Sequence, residues 1–245
     1  MKKTFTQSLA TVSFAALMLM ACTEKKEEVK LNQLTEEEKK EGWTLLFDGK
    51  TTDGWHLYNQ GKVPSSWIVQ DSALYCKADT FGVAHGDLVS DNEFENFDLS
   101  FEWKIAEAGN SGVFINVQEK EENPTAWASG PEYQLLEKTH HDYAVTSKKW
   151  AGSLYNFTEQ KTDAPIKPVD QWNQSRIKQQ NGKIEFYLND KLTAEQDFTS
   201  QAWKDSVAKS GFKTFPEFGK YTKGHIALQE WSKGIMFRNI KIKTL

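Results

Sequence analysis

Cysteine is almost absent from this sequence of 245 residues, which contains only Cys22 and Cys76. If Cys22 carries lipid, as its context indicates below, no disulfide can form within the chain in any redox compartment. Stability therefore has to come from a hydrophobic core. About 200 residues follow the leader and the charged segment after it, which is enough for one large domain.

Arginine is also scarce, because only Arg176 and Arg238 carry a guanidinium group. The lysines are scattered among acids, and the formal net charge is −4 at pH 7. No basic stripe is available for a phosphate backbone, which excludes nucleic acid as a partner. The two arginines are predicted to make structural hydrogen bonds to backbone or carboxylate.

Long apolar runs are missing beyond the first segment, MKKTFTQSLATVSFAALMLMACTEKK. Two lysines, an apolar run and then Ala21 before Cys22 predict a lipoprotein signal peptide over residues 1–21. The run is too short to span a bilayer, which takes about 20 apolar residues. We therefore predict lipidation of Cys22 and anchoring in the cell envelope, on the periplasmic or the surface side. A soluble secreted protein cut nearby is the alternative.

Residues 22–42 are nearly all charged or polar and are predicted to form a tether. Thr35 and Glu38 have the spacing of a capping box, which predicts a short helix over TEEEKKE. From residue 43 the pattern changes to short alternating runs, and we predict a single all-β domain over 43–245.

Period-2 alternation supports that fold class. In FDLSFEWKI the residues Phe97, Leu99, Phe101 and Trp103 share one face, and in SGVFINVQ the residues Val113, Ile115 and Val117 do. KIEFYLNDKLTAEQ indicates a hairpin with an Asn189-Asp190 turn. A helix is expected only near SQAWKDSVAK. Many strands without βαβ spacing predict an antiparallel sandwich.

One strand carries the chemistry, in EYQLLE. Glu132 and Gln134 share one side, whereas Tyr133 and Leu135 share the other with Glu137. Ordinary glycosidases need two carboxyls about 5–5.5 Å apart for retention or about 6.5–9.5 Å apart for inversion. This strand supplies one acid to each face. Glu102 on a neighbouring strand is the best candidate for a second carboxylate.

Seven motifs occur in an order that resembles the 3-keto-disaccharide hydrolase family of Bacteroidetes-type lipoproteins. They are GWTLLFDGKTTDGW, GNSGVFINV, GPEYQLLE, AGSLY, QWNQSRI, NGKIEFYLND and GHIALQEWSKGIMFRNIKI. The resemblance covers residues 43–245. It implies a concanavalin A-like jelly-roll sandwich of two curved antiparallel sheets whose concave face holds a carbohydrate.

The resemblance also implies a glycoside already oxidised at C3 by a partner oxidoreductase. A C3 ketone acidifies the C2 hydrogen, so one base can remove it, the group on C1 can leave by elimination, and water can add. This chemistry requires no cofactor and no carboxylate pair. It requires one base and a group that polarises the ketone oxygen.

Glu132 is predicted to be the base, and Gln134 is predicted to orient a sugar hydroxyl beside it. Tyr155, and His140 or His141, are candidate acids or oxygen polarisers. A divalent metal site built from His140, His141 and Asp142 stays open, although adjacent side chains on an extended segment diverge.

Several further residues are predicted to bind substrate: Glu102, Asn116, Trp127, Gln229 and Trp231. The family often has Arg in place of Asn116, and an acid followed by His in place of Glu230 and Trp231. Trp231 is therefore expected to serve as a stacking platform for a sugar ring. Asn110 and Ser111 indicate first a turn, with a ligand contact as a secondary interpretation.

The sequence thus predicts a lipid-anchored hydrolase of 3-keto-glycosides. A carbohydrate-binding lipoprotein that uses the same concave face without catalysis is the alternative. An ordinary retaining glucanase is disfavoured, because Gln134 stands where a second acid on the strand would be needed.

Overall fold

The computed structural model describes residues 1, 30–231 and 233–245. The predicted signal peptide and Cys22 lie outside the described residues, so their assignment stays a prediction. Within the described ranges, no helix is both long enough and apolar enough to cross a bilayer.

Thirteen strands are present in the described part of the chain, and all pairings between them are antiparallel. They are β1 (Trp43–Leu45), β2 (Trp55–Leu57), β3 (Trp67–Gln70), β4 (Ala73–Cys76), β5 (Leu88–Phe94), β6 (Phe97–Ile105), β7 (Asn110–Val117), β8 (Glu132–Leu136), β9 (Asn173–Gln180), β10 (Lys183–Leu188), β11 (Lys191–Asp197), β12 (Gly224–Leu228) and β13 (Ile235–Thr244).

The strands form two sheets. The eight-stranded sheet has the order β11-β10-β9-β6-β13-β4-β3, with β1 also paired to β13, and the five-stranded sheet has the order β2-β5-β12-β7-β8. The predicted all-β jelly-roll sandwich is confirmed.

The core lies between the two sheets, where the alternating strands place their apolar sides. Phe97, Leu99, Phe101 and Trp103 of β6 are each at most 1% exposed, as their shared face predicts. The ring of Phe101 meets that of Tyr133 from the opposite sheet edge-on, with centroids 5.9 Å apart. Such aromatic contacts between the layers stabilise the packing beyond the area that they bury.

Helices are few and short. α1 (Glu36–Lys40) begins at the Thr35–Glu38 capping box, and α2 (Gln201–Lys209) forms where the sequence indicated a helix. Short 3-10 helices span Ala126–Ala128, His141–Ala144, Ser147–Lys149 and Gly211–Thr214. The predicted hairpin is also present, because Asn189 and Asp190 both take positive φ between β10 and β11.

The segment before β1 differs from the solvated tether that its charges predict. The backbone N–H of Asn32 donates to Asn239 Oδ1 at 2.6 Å, and the N–H of Asn239 donates back to Asn32 Oδ1 at 2.8 Å. Asn32 Nδ2 also donates to the carbonyl of Ser72. Asn32 is only 5% exposed, so the folded unit extends at least ten residues upstream of the predicted domain start.

Candidate active site

A cavity of about 670 Å³ lies on the face of the five-stranded sheet that points away from the main core. Its lining combines carboxylate, amide, hydroxyl, phenol and aromatic side chains with the backbone of a glycine: Asn110, Trp127, Glu132, Gln134, Asp142, Tyr155, Asn156, Ser210, Gly211, Phe212, Phe215, Gln229 and Trp231. A pocket of this size and mixed polarity suits a small polar ligand.

Alternation along β8 places two polar side chains in this cavity. Tyr133 and Leu135 enter the main core, whereas Glu132 and Gln134 face the cavity. In the pairing of β8 with β7, Glu132 lies opposite Phe114 and Gln134 lies opposite Gly112. A Cβ on Gly112 would come within 2.2 Å of Glu132 Oε1, so glycine leaves the space that the carboxyl group occupies.

The carboxyl group of Glu132 is held in an apolar and anionic environment. Burial raises the pKa of Glu132 well above its ordinary value; the nearby Asp87 raises it further, and Lys149 acts in the opposite direction. No hydrogen-bond partner of this carboxyl group is found among the described residues. A carboxylate that accepts no hydrogen bonds from the protein and is largely buried is a strong base.

Asp87 is a second acidic group near the cavity, which sequence reasoning missed. It accepts the backbone N–H of Glu230 at 3.0 Å, and burial raises its pKa to about 7. Asp87 directly precedes β5, which is separated from the strand of Glu132 by β12 and β7. The sequence therefore contains no spacing that relates Asp87 to Glu132.

An ammonium group and a phenol, from Lys149 and Tyr155, lie beside the edge strand β8. The backbone N–H of Tyr155 donates to the carbonyl of Glu132 at 3.1 Å, which fixes Tyr155 next to the acid. Lys149 Nζ lies 2.8 Å from Asp142 Oδ1 and 5.7 Å from the centroid of the Tyr155 ring. Burial and then the charge of Glu132 raise the pKa of the Tyr155 phenol. Lys149 carries no motif signal and was missed.

Gln134 is held by its own strand. Its Oε1 accepts the backbone N–H of Leu135 at 2.9 Å, and the residue is 1% exposed. This bond fixes the amide plane and leaves the Nε2 group as the donor toward the cavity.

Aromatic side chains form the opposite wall. Trp127 packs edge-on against Phe215 with ring centroids 4.7 Å apart, and against Phe212 with ring centroids 6.5 Å apart. Trp231 stands at the rim and is 56% exposed. The two predicted tryptophans, Trp127 and Trp231, therefore both line the cavity, as does Gln229.

His140 and His141 occupy a short helical turn next to the cavity. His140 Nδ1 accepts the backbone N–H of Asp142 at 3.1 Å, and burial followed by the charge of His141 lowers the pKa of His140. The turn draws the ligand atoms of His140, His141 and Asp142 within 4.8 Å of one another, instead of letting them diverge. These three residues could hold a metal ion, but only Asp142 lines the cavity.

Glu102 is not part of this site. It lies on β6 of the eight-stranded sheet, on the face opposite Phe101 and Trp103, where it receives Arg238 Nε at 2.6 Å and Asn239 Nδ2 at 3.0 Å. It cannot supply a carboxylate to a cavity on the other sheet. The ion pair also gives Arg238 the structural role expected of it.

Asn116 also lies away from the cavity. Its φ of +58° produces an irregularity in the pairing of β7 with β12, which turns its side chain inward. There Asn116 Nδ2 donates to Gln179 Oε1 at 2.7 Å and so joins the two sheets. The same irregularity moves Val117 out of the face of Val113 and into a separate apolar cluster.

Glu230, which precedes Trp231, is bound from two other parts of the chain. The Ser66 hydroxyl donates to its Oε1 at 2.5 Å, and His85 Nδ1 lies 2.7 Å from the same atom. A histidine therefore contacts this acid even though the neighbouring position holds Trp231.

Comparison with known proteins gives the class. The chain is 31% identical to a solved structure of a predicted glycosyl hydrolase from Parabacteroides distasonis, which covers 88% of this chain and 100% of that one with a TM-score of 0.81. A second predicted glycosyl hydrolase from that organism is 25% identical, covers 83% and 99%, and has a TM-score of 0.63. The fold and these relatives place the chain in the class of jelly-roll hydrolases.

Within that class the family is specific. The model of the 3-keto-alpha-glucoside-1,2-lyase-like domain matches residues 42–243, so the chain belongs to this family. It is 31% identical over 230 residues to the 3-keto-disaccharide hydrolase of Bacteroides thetaiotaomicron, covering 84% of this chain and 79% of that protein. The resemblance inferred from the motifs is confirmed.

Proposed function

We propose that the protein hydrolyses 3-keto-glycosides and that Glu132 is the general base. The observation that carries this proposal is a buried carboxyl group without hydrogen bonds, with a raised pKa, on the floor of the 670 Å³ cavity. The family membership and the name of the Bacteroides relative support the substrate class.

The first step is removal of the C2 proton by the carboxylate of Glu132. The electrons of the C2–H bond move into a C2=C3 bond, and negative charge develops on the C3 oxygen. Lys149 and Tyr155 are the donors beside Glu132 that can stabilise this charge, as an ammonium ion and a phenol in a site of low polarity.

The second step is elimination. The enolate reforms the C3 ketone and a C1=C2 bond forms as the C1–O bond breaks, and the leaving oxygen takes a proton from Glu132 or Tyr155. Water then adds its hydroxyl to C1 and a proton returns to C2. The balance is one water consumed, with no oxidant and no second carboxylate required.

A paired assay tests this function. One glycoside is supplied plain and as its 3-keto derivative, and product release is measured for the wild type, Glu132→Gln and Glu102→Gln. We expect cleavage of the keto form alone, reduced about 100-fold or more in Glu132→Gln, as for loss of a general base. Glu102→Gln should keep its turnover, because Glu102 lies on the other sheet.

Each contrary result has a distinct meaning. Full turnover by Glu132→Gln would remove Glu132 from the mechanism. Cleavage of the plain glycoside at the same rate would point to an ordinary glycosidase. Binding of both forms without cleavage would identify the alternative, a carbohydrate-binding lipoprotein.

We further propose that the protein works in the cell envelope, anchored by lipid on Cys22, downstream of an enzyme that oxidises glycosides at C3. The lipobox-like sequence before Cys22 supports the anchor. A plain glycoside has no acidic C2 proton for Glu132 to remove. An oxidoreductase therefore has to supply the 3-keto substrate.

A further inference from the structure

Two amide side chains that line the cavity each carry a buried oxygen atom without a hydrogen-bond partner. Within residues 30–231 and 233–245, three buried side-chain polar atoms lack a hydrogen-bond partner: Thr80 Oγ1, Asn110 Oδ1 and Gln229 Oε1. Two of the three belong to residues that line the cavity. Since an unsatisfied buried acceptor costs about 1–3 kcal/mol, two of them in one cavity call for a ligand that donates.

The backbone around these amides is fixed. The N–H of Gln229 donates to the carbonyl of Gly112 at 2.9 Å, and the hydroxyl of Ser111 donates to the carbonyl of Gln229 at 2.8 Å. Asn110 is the first residue of β7, paired with Leu136 of β8. The backbone that carries each amide is therefore held in place by hydrogen bonds.

The order of strands separates acceptors from donors. Across the sheet, Gln229 follows β12, Asn110 lies on β7, Glu132 lies on β8, and Tyr155 lies beyond that edge together with Lys149. Strands are about 4.8 Å apart, so Asn110 lies about 10 Å and Gln229 about 14 Å from Tyr155 across the sheet, with the strand of the base between them.

We propose that Asn110 and Gln229 bind hydroxyl groups of the substrate and so determine which way the keto-sugar lies across the sheet. This inference rests on the proposed function. A ketone has no proton to donate and cannot satisfy either amide oxygen, whereas a hydroxyl can. The hydroxyl-bearing side of the substrate therefore lies over Asn110 and Gln229, and the ketone oxygen lies toward Lys149 and Tyr155.

The test uses the substitutions Asn110→Leu and Gln229→Met, which keep the shape and remove the oxygen. Neither oxygen has a protein partner, so the melting temperature of the ligand-free protein should stay equal or rise. A structural role would instead lower it. Gln180→Met, at an exposed position on the other sheet, is the matched control.

Binding is measured by calorimetry in the Glu132→Gln background, so that no chemistry is needed. The probes are a 3-keto-disaccharide and analogues of it that each lack one hydroxyl group on the sugar attached to C1. We expect each substitution to weaken binding of the full ligand about tenfold or more. For each substitution, one deoxy analogue should bind to the Glu132→Gln protein as weakly as the full ligand binds to the substituted variant. Binding of that analogue to the substituted variant should show no further loss.

Unchanged affinity in both variants would overturn the proposal, as would equal loss on every analogue or a lowered melting temperature with normal binding. The proposed function fails on a different result, the absence of keto-dependent cleavage by the wild type. The two failures can therefore be told apart.

Discussion

The environment of Glu132 makes its carboxyl group reactive and lowers the stability of the folded protein. The apolar surroundings that raise its pKa withhold the hydrogen bonds that a buried carboxylate needs. Gly112 preserves the arrangement, because any side chain there would displace Oε1. The position is thus suited to proton transfer and not to stability.

Replacing this acid should therefore stabilise the protein. A carboxyl group whose pKa is raised by folding contributes stability that is fully present below its unfolded pKa and is lost as pH rises through its folded pKa. We expect Glu132→Gln to melt at least about 3 °C above the wild type at pH 8. The gap should shrink toward pH 4.5, where both side chains are uncharged.

Thermal unfolding at pH 4.5 and pH 8 measures this difference. A variant that melts below the wild type at pH 8 would show that the carboxylate is paired in the folded protein, which contradicts the environment described above.

At the scale of elements, β8 shows what the pattern could predict. Alternation alone placed Glu132 and Gln134 opposite Tyr133 and Leu135, and motif order gave the family and the sandwich. Lys149 and Asp87 could not be found in this way, because they act on Glu132 from a 3-10 helix and from the residue before β5.

The two misplaced residues show the limits of alternation. Glu102 lies on the polar side of its strand, as expected. Local alternation does not show to which sheet the strand belongs, because that depends on the topology of the whole fold. Asn116 fails for a different reason, because one residue of positive φ reverses the phase of β7. Asparagine tolerates that conformation, which is the only signal in the sequence.

A half-buried histidine, His56, joins β2 to β5 and to the loop after β7. His56 Nδ1 lies 2.7 Å from Asp91 Oδ1, and Nε2 lies 2.8 Å from Glu119 Oε2, so both nitrogens require a proton. Burial acts to lower the pKa of His56, but these two carboxylates raise it overall. Lys62, which pairs with Asp91 at 2.9 Å, and the ring of His225, 6.2 Å away, are the other groups nearby.

The contribution of His56 should depend on pH. Because its folded pKa is raised, the stability that it provides is fully present below pH about 6.5 and is lost as pH rises through the folded pKa. The urea midpoint of the wild type should exceed that of His56→Gln at pH 6, and this excess should be smaller at pH 9. An excess that grows with pH would exclude an imidazolium at this position.

At the scale of the whole molecule, the reciprocal bonds between Asn32 and Asn239 join the segment before the sandwich to β13. Asn32 also has a φ of +52°, which alanine adopts poorly. We expect Asn32→Ala to reduce the free energy of unfolding by about 2 kcal/mol, through lost hydrogen bonds and backbone strain. Urea unfolding measures it, with Gln33→Ala at the exposed neighbouring position as the control.

No loss of stability in Asn32→Ala would mean that the segment is held by other contacts. The ion pair of Glu38 with Lys241 is the next candidate, because it joins α1 to the same strand.

The Asn32 clamp also has a geometric meaning for a lipid-anchored protein. With lipid on Cys22, as proposed, nine residues lie between the lipidated residue and Asn32, the first fixed point of the fold. A fully extended chain of that length reaches about 35 Å. An anchored protein would therefore hold Asn32 within about 35 Å of the lipidated residue, and the folded domain would stay close to the bilayer. Substrate delivered along the membrane surface would meet the domain at a higher local concentration than substrate arriving from the bulk.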